Sequence, residues 1–441
     1  MVKRSLFALL LINWAFVALL GRWLPWASGL TLLFVVMIGY ALLVTVAMVH
    51  RKRRERKYPP PPTPPWTPRV SLVVPAHNEE QVIEETVAAL MALDYPDFHV
   101  LVMDDRSADG TAARLAALAQ RYDPARFAYH VRAADGRPGK SAVLNDALAM
   151  TDGEIIAVFD ADAFVAPDFI SRMLPFLAEE GVGGAQARKV IANADYNWLT
   201  RCQNYEYSLD SHFQYGRDAI RCSVEFRGNG QLVKRSAIES VGGWNEASLT
   251  DDLDLSTRFQ LAGWDVRFAH KTLVYEEGIT RLSALIRQRR RWAQGSLTRY
   301  LQFGMRLLAS DQASLRAKGD LLAYVVQFIF PLWLVFDYCY LGYHYVTGQV
   351  HQIHMLSSLM ALPVLCGFFY TALVVAIYRF NRPGVWRTLS DAVMTAIYFI
   401  LVWIPVVCWV TVNLIREPQG AFDWGKTEHG GAGRRNPALS A

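Results

Sequence analysis

An α/β fold is predicted for this chain: a mostly parallel sheet with helices on both faces, flanked by transmembrane helices. Three observations predict it. Between residues 69 and 316, short and nearly continuous apolar runs rich in β-branched residues alternate with amphipathic helical periods, as expected for parallel strands buried on both faces. Apolar runs of membrane length gather at the two ends of the chain. The residues that follow the first three strands are acidic or otherwise polar, and open sheets bind ligands just beyond the carboxyl ends of their strands.

The ends set the overall organisation. Of the 441 residues, 52% are hydrophobic, too many for a wholly soluble chain. Apolar runs at 6–20 and 24–50 open the chain, and runs at 321–345, 355–378 and 392–414 close it. All but the first exceed the roughly 20 residues that a bilayer span needs. The first follows Lys3 and Arg4 as a signal peptide would, but no convincing small-residue cleavage site comes after it. Residues 1–50 are therefore expected to hold two transmembrane helices and 317–416 three, with a disordered tail at 417–441.

Charge sets the orientation. The run Arg51-Lys52-Arg53-Arg54-Glu55-Arg56-Lys57 follows the second span, and Arg379, Arg382 and Arg387 lie between the fourth and fifth. The positive-inside rule then places the middle of the chain in the cytoplasm, making this an integral membrane protein with a cytoplasmic soluble domain. The same basic run would attract anionic lipid headgroups. Nucleic acid is a poor partner for it because the run abuts a span. Residues 51–68 form a basic and proline-rich linker, whose prolines favour a stiff extended spacer. Cys202, Cys222, Cys339, Cys366 and Cys408 have no metal-ligand spacing, and free thiols are expected on the reducing side of the membrane.

Within the domain at 69–316, strands are expected at 70–74, 100–103 and 155–159, and helices at 79–93 and 111–121. After the first strand stand Pro75-Ala76-His77-Asn78-Glu79-Glu80, after the second Asp104-Asp105-Arg106-Ser107-Ala108-Asp109-Gly110, and after the third Asp160-Ala161-Asp162. One acidic strand end is adequately explained as a helix cap. Three in succession on one sheet edge call for a cation, since gathered carboxylates raise one another's pKa values. On an extended segment Asp160 and Asp162 project to one side, where both reach a hard divalent ion, Mg2+ or Mn2+, that keeps positions open for diphosphate oxygens.

Two motifs follow downstream. Thr250-Asp251-Asp252-Leu253-Asp254 reads as a helix start, with Thr250 or Asp251 as the cap. One of its carboxylates can still face a substrate as a general base. Arg287-Gln288-Arg289-Arg290-Arg291-Trp292 concentrates positive charge beside an indole, which suits a phosphate carried on a ringed ligand such as a sugar nucleotide.

The order Asp105, Asp160-Ala161-Asp162, Thr250-Asp251-Asp252 and Gln288-Arg289-Arg290-Arg291-Trp292 resembles that of the membrane-integrated family 2 glycosyltransferases, which include cellulose, hyaluronan and poly-N-acetylglucosamine synthases. The resemblance covers about nine tenths of the chain and implies a GT-A-type domain and a UDP-linked donor. It implies that Asp105 bonds uracil, that Pro75, Asn78 and Glu79 line the nucleotide pocket with Lys140 beside it, and that Asp160 and Asp162 serve the metal and donor diphosphate. Asp252 matches the general base of a motif usually written Thr-Glu-Asp, with Asp251 standing where the glutamate is usual. Gln288, Arg291 and Trp292 match the segment that closes over diphosphate and acceptor, leaving the other arginines of that run for lipid phosphates. Inversion at the anomeric carbon follows from the same resemblance. The segments 226–231, 250–254 and 276–280 look closer to cyanobacterial β-monoglucosyldiacylglycerol synthases than to polysaccharide synthases. That implies glucose transfer from UDP-glucose to diacylglycerol, the alternative being a processive β-glycan synthase. The Gly228-Asn229-Gly230 loop by itself is equally compatible with an ordinary turn.

Overall fold

The computed structural model describes residues 29–57, 66–222, 224–348 and 352–416. The expected first span and the C-terminal tail lie outside these residues, as does most of the proline-rich stretch.

One eight-stranded sheet organises the domain. Its strands are β1 (Val70–Ala76), β2 (Phe98–Asp104), β3 (Phe127–Val131), β4 (Ile155–Val158), β5 (Phe164–Val165), β6 (Val182–Ile191), β7 (Gln231–Lys234) and β8 (Asp265–Glu276). They run in the order β3-β2-β1-β4-β7-β6-β8-β5. The four strands from β3 to β4 pair in parallel. β7 then runs antiparallel to both β4 and β6, β8 returns parallel to β6, and β5 closes the edge antiparallel to β8. The sheet is thus parallel where short helices join successive strands, and mixed beyond β4.

Strand periodicity explains the two cores. Val70, Leu72 and Val74 of β1 face a core shared with α2 (Ile83–Met91), α3 (Thr111–Arg121) and α5 (Phe169–Leu177). Val73 faces the opposite core, shared with α4 (Lys140–Met150), α7 (Arg235–Ser240) and α8 (Asp251–Leu261). Side chains alternate across the pleat, so an apolar run without polar interruptions fits only a strand covered on both sides.

Two local expectations are corrected. The helix expected at 79–93 forms only over Ile83–Met91, because Asn78 adopts φ 56° and the Glu79 carbonyl accepts from both Val82 and Ile83 in a turn. The boundary expected after residue 50 is also displaced. α1 (Gly29–Lys57) continues through the basic run, consistent with the good helix propensity of Arg and Lys, and its Arg51 pairs with buried Asp218.

The helix α6 (Trp198–Ala219) joins the sheet domain to the apolar helices. Asn197 caps it, accepting from Thr200 while the Thr200 hydroxyl accepts from the Asn197 backbone. It is followed, after β8, by α9 (Leu282–Ala309), α10 (Leu315–Val346), α11 (Gln352–Phe380) and α12 (Val385–Arg416). The last three helices enclose the three apolar runs expected at the C-terminal end. Among the described residues, the segments Val35–Arg53 and Val385–Arg416 are long and apolar enough to cross a membrane. Tyr205 and Leu209 of α6 pack on Leu373 and Ile377 of α11 and Ala392 of α12, while Leu199 and Cys202 pack on Tyr398 and Val402 of α12. The joint with α10 is ionic: the Arg217 guanidinium donates to both oxygens of Asp320, and both side chains are buried. None of the five cysteines forms a disulfide among the described residues.

Gly216 is where α6 meets α1 most closely. A Cβ there would collide with Val44 Cγ1 and lie 2.8 Å from the Val44 carbonyl oxygen. Gly216→Val is expected to force the helices apart and cost about 1–3 kcal/mol, read as a lower melting temperature of the purified protein in detergent. An unchanged melting temperature would contradict this packing.

Candidate active site

The polar strand ends meet in a cavity of about 870 Å³ at the carboxyl edge of the sheet. Pro75, Glu79, Lys140, Asp160, Asp162, Asp252, Gln288, Arg291 and Trp292 all line it. Asn78 and Asp105 do not. They staple the loops behind its wall. Asn78 accepts from the Ala108 N–H at 2.7 Å, and its own N–H donates to Ser107. Asp105 is buried, with one oxygen 2.8 Å from both Arg106 Nε and Arg132 Nη1. His77, which does line the cavity, places its Nδ1 2.7 Å from the Asp105 carbonyl oxygen.

The aspartate pair departs from the extended geometry expected for it. Residues 160–163 form a turn, closed by the Ala163 N–H on the Asp160 carbonyl. The two carboxylates therefore have different neighbours. Asp160 accepts from Lys140 Nζ at 2.6 Å, and Asp162 is buried and accepts from the Glu277 backbone N–H at 2.7 Å. Lys140 opens α4 directly after Gly139, whose φ of 101° suits glycine. Burial alone would depress the Lys140 ammonium, but Asp160, Asp251 and Asp252 outweigh it and hold its pKa above the usual lysine value.

Asp252 stands in the first turn of α8. Thr250 occupies the N-cap position without a side-chain hydrogen bond, so the capping expected of Thr250 or Asp251 is replaced by an Asp252 carboxylate that accepts from the Leu253 N–H at 2.8 Å. Burial first, and the Asp251 charge second, push the Asp252 pKa up to about 6, against the pull of the Leu253 N–H, Lys140 and Arg227. A carboxyl with that pKa is suited to take a proton near neutral pH.

α9 supplies the opposite wall, and helical phase sorts its arginines. Positions 288, 291 and 292 share a face because neighbours on a helix surface are three or four residues apart, and that face lines the cavity. Burial lowers the Arg291 pKa, while Asp251, Asp160 and Asp252 raise it, so its charge belongs to the acidic cluster. Arg289 corrects the expectation that the remaining arginines face lipid phosphates. It is fully buried, 2.8 Å from Glu206, which also accepts from Tyr398 and Trp403 of α12. Arg290 lies over the Trp409 ring at 4.1 Å, and Arg287 is exposed. Gly295 lets α9 approach α8, since a Cβ there would strike Thr250.

Several lining residues were not singled out as site residues in the sequence. Arg227 and Glu276 fall in segments that carried the resemblance, but Lys189 and Tyr207 gave little signal. A lysine near the end of an apolar strand was the only hint of the first, and a tyrosine in a polar helix gave none of the second. Beyond this polar end, the same cavity continues between the apolar helices, lined by Tyr40 of α1, Leu334 of α10, Phe369 of α11 and Phe399 and Trp403 of α12.

Residues 68–295 match the family described as glycosyltransferase like family 2. The chain is 37% identical over 369 residues to the beta-monoglucosyldiacylglycerol synthase of Trichormus variabilis, covering 83% of this chain and 77% of that protein. It is 36% identical over 374 residues to the beta-monoglucosyldiacylglycerol synthase of Synechocystis sp., covering 83% and 76%. Among solved structures, the mannosyltransferase PcManGT from Pyrobaculum calidifontis, in complex with GDP-Man and Mn2+, aligns with a TM-score of 0.54 at 22% identity. The alignment covers 84% of this chain and 99% of that one, a likeness of fold.

Turnover at this cavity is expected to rise with pH through about 6, because only the ionised Asp252 accepts a proton. At pH 5 kcat/KM would be about a tenth of its plateau. Asp251→Asn removes the like charge and should move the midpoint to lower pH. A profile flat from pH 5 to 8, or a midpoint unmoved by that substitution, would contradict the assignment.

Proposed function

From the premise that the chain belongs to glycosyltransferase family 2 and is a sugar-transferring enzyme, we propose that it moves glucose from UDP-glucose onto diacylglycerol. The product is a β-glucosyldiacylglycerol. The observation that carries this reading is the two-ended cavity: charged groups suited to a nucleotide diphosphate surround Asp252, and the same space runs on between Phe369, Phe399 and Trp403. An acceptor with a hydroxyl at one end and acyl chains at the other matches both ends. A growing glycan would need polar partners along its path, and the far limb is largely aromatic and aliphatic.

The chemistry follows from the residues. Asp252 takes the proton of the acceptor hydroxyl as its oxygen attacks the anomeric carbon on the face opposite the diphosphate. The bond from that carbon to the diphosphate oxygen breaks, and UDP leaves with the electron pair. Displacement from one side inverts the centre, so an α-linked donor yields a β-glycoside. Arg291 and Lys140 face the departing charge inside a low-dielectric cavity, where fixed cations are worth more than in water. Gln288 and Trp292 close the site from α9. Pro75 and Glu79 flank the nucleotide, and Asp105 and Asn78 hold the loops against which the uracil would lie.

The aspartate pair fits a hard divalent cation. Asp160 and Asp162 offer oxygen ligands on the cavity wall, and among the described residues no group of three acidic, histidine or cysteine side chains could hold a metal ion. Mg2+ or Mn2+ would therefore complete its coordination with diphosphate oxygens and water, the habit of Mg2+ in phosphate sites. When bound it would supply a positive charge to the leaving group.

We place the catalytic domain on the cytoplasmic face of a membrane. Arg51 of α1 and Arg379 at the end of α11 both lie over the ring of Tyr215, at 5.2 Å and 4.5 Å. The two basic clusters thus meet at the end of the helices nearest the sheet, as the positive-inside rule requires of a cytoplasmic domain. The exposed Lys52 and Arg53 of the 51–57 run are suited to anionic headgroups.

Purified protein supplied with Mg2+, UDP-glucose and diacylglycerol should give a monoglucosyl lipid by mass spectrometry, and EDTA should abolish it until Mg2+ or Mn2+ is restored. Long polymer without glycolipid would overturn the acceptor assignment. Asp252→Asn should lower kcat by about 10²–10⁴ while UDP affinity stays within about twofold. Comparable loss of both would remove Asp252 from the role of base.

A further inference from the structure

Lys189 and Glu276 form an ion pair in the wall of the cavity, and the transfer chemistry uses neither. They approach to 2.8 Å from the adjacent parallel strands β6 and β8, with only about a tenth of either side chain exposed. Both line the cavity. Such a pair is expensive to bury, and replacing it with apolar groups is often neutral or stabilising, so its place beside the reacting groups suggests a use.

Hydrogen-bond accounting suggests which use. Lys189 Nζ has three N–H donors. One meets Glu276 Oε2 at 2.8 Å and a second the Arg227 carbonyl oxygen at 3.3 Å. Glu276 Oε2 also accepts from Asn229 Nδ2 at 3.2 Å, and Oε1 accepts from the Tyr207 hydroxyl at 2.5 Å. Among the described residues this leaves one ammonium N–H and one lone pair of Oε1 without a hydrogen-bond partner. A donor and an acceptor held side by side are complementary to a single hydroxyl group, which accepts from one and donates to the other.

The pair is also fixed relative to the donor end of the cavity. Asn229 bonds Glu276 with its amide nitrogen and accepts the Asp160 N–H with its amide oxygen at 3.2 Å, so the pair and the aspartate turn move as one unit. The rings of Tyr207 and Trp292 stand 5.0 Å and 5.7 Å from Lys189 Nζ, giving flat apolar surfaces beside the polar pair, as a sugar ring with C–H faces and hydroxyl edges requires.

We propose that Lys189 and Glu276 together read one hydroxyl of the hexose being transferred, and so set which nucleotide sugar the enzyme accepts. This rests on the nucleotide-sugar reading above but not on the identity of the acceptor. A donor that lacks this hydroxyl, or presents it on the other face of the ring, leaves a buried donor and acceptor unmatched, the condition under which an enzyme discriminates most strongly.

The test uses full-length protein in detergent and UDP-glucose analogues each lacking one ring hydroxyl, scored as donor hydrolysis without any lipid. A wrong acceptor assignment therefore leaves this readout unchanged. For the wild type, one deoxy donor should fall in kcat/KM by about 100-fold. In Lys189→Met, UDP-glucose should fall by a similar factor, UDP affinity should stay within about twofold, and that same deoxy donor should lose no more than about threefold further. The double variant Lys189→Met with Glu276→Gln removes both charges together, so it tests the same non-additivity without leaving an unpaired buried carboxylate. If the losses from variant and analogue multiply for every deoxy donor, or if UDP binding falls with Lys189, the pair serves the diphosphate or the fold and the proposal is overturned.

Discussion

Charge balance in a confined space is the constraint on which the rest of the structure depends. Asp160, Asp162, Asp251, Asp252 and Glu276 converge on one end of a single cavity, and carboxylates so gathered repel one another and take up protons unless cations face them. Lys140, Lys189, Arg227 and Arg291 supply those cations from α4, β6, the loop before β7, and α9. Each is held by an acid or a backbone oxygen, or feels several acids at once. At Asp252 burial and Asp251 prevail over Lys140 and Arg227. That local imbalance suits the Asp252 carboxyl to accept a proton near neutral pH.

The same economy of charge ties the sheet to the apolar helices. Glu225 is a hub: Arg217, Arg227 and Arg299 all pair with it, and the three arginines hold its carboxyl well below the usual range against the effect of burial. Arg299 also donates to the Leu253 carbonyl at 3.2 Å, and Arg217 reaches Asp320 on α10. The helix carrying Asp252 is thereby joined to α9, α10 and α6. Arg289 and Glu206 make the equivalent joint to α12. These buried pairs fix the charged end of the cavity and its apolar end to one frame.

Much of this was legible from residues alone, and the reason lies in what each signal measures. Apolar runs report burial on both faces, so β1, β2 and β4 were found close to their true limits. Acidic strand ends report a sheet edge, and nine of the eleven residues singled out from motifs do line one cavity. The errors share a cause as well. The span of α2 and the turn at Asp160 depend on backbone angles and long-range partners, Asn78 and Ser107 in one case and Lys140 and Glu277 in the other, which no local pattern encodes.

By itself the sequence determined the layered α/β domain, its apolar flanks and the acidic residues that meet at one sheet edge, because periodicity and motif order are properties of neighbours along the chain. Tertiary structure decided that Arg289 of the 287–291 run is spent on Glu206 and does not face lipid phosphates. It also decided that Asp105 stands behind the wall, that Lys189 and Tyr207 stand in it, and that the charged end and the apolar end are one space. These depend on helix phase and on strands paired across tens of residues, and contacts between distant segments exist only once the chain has folded.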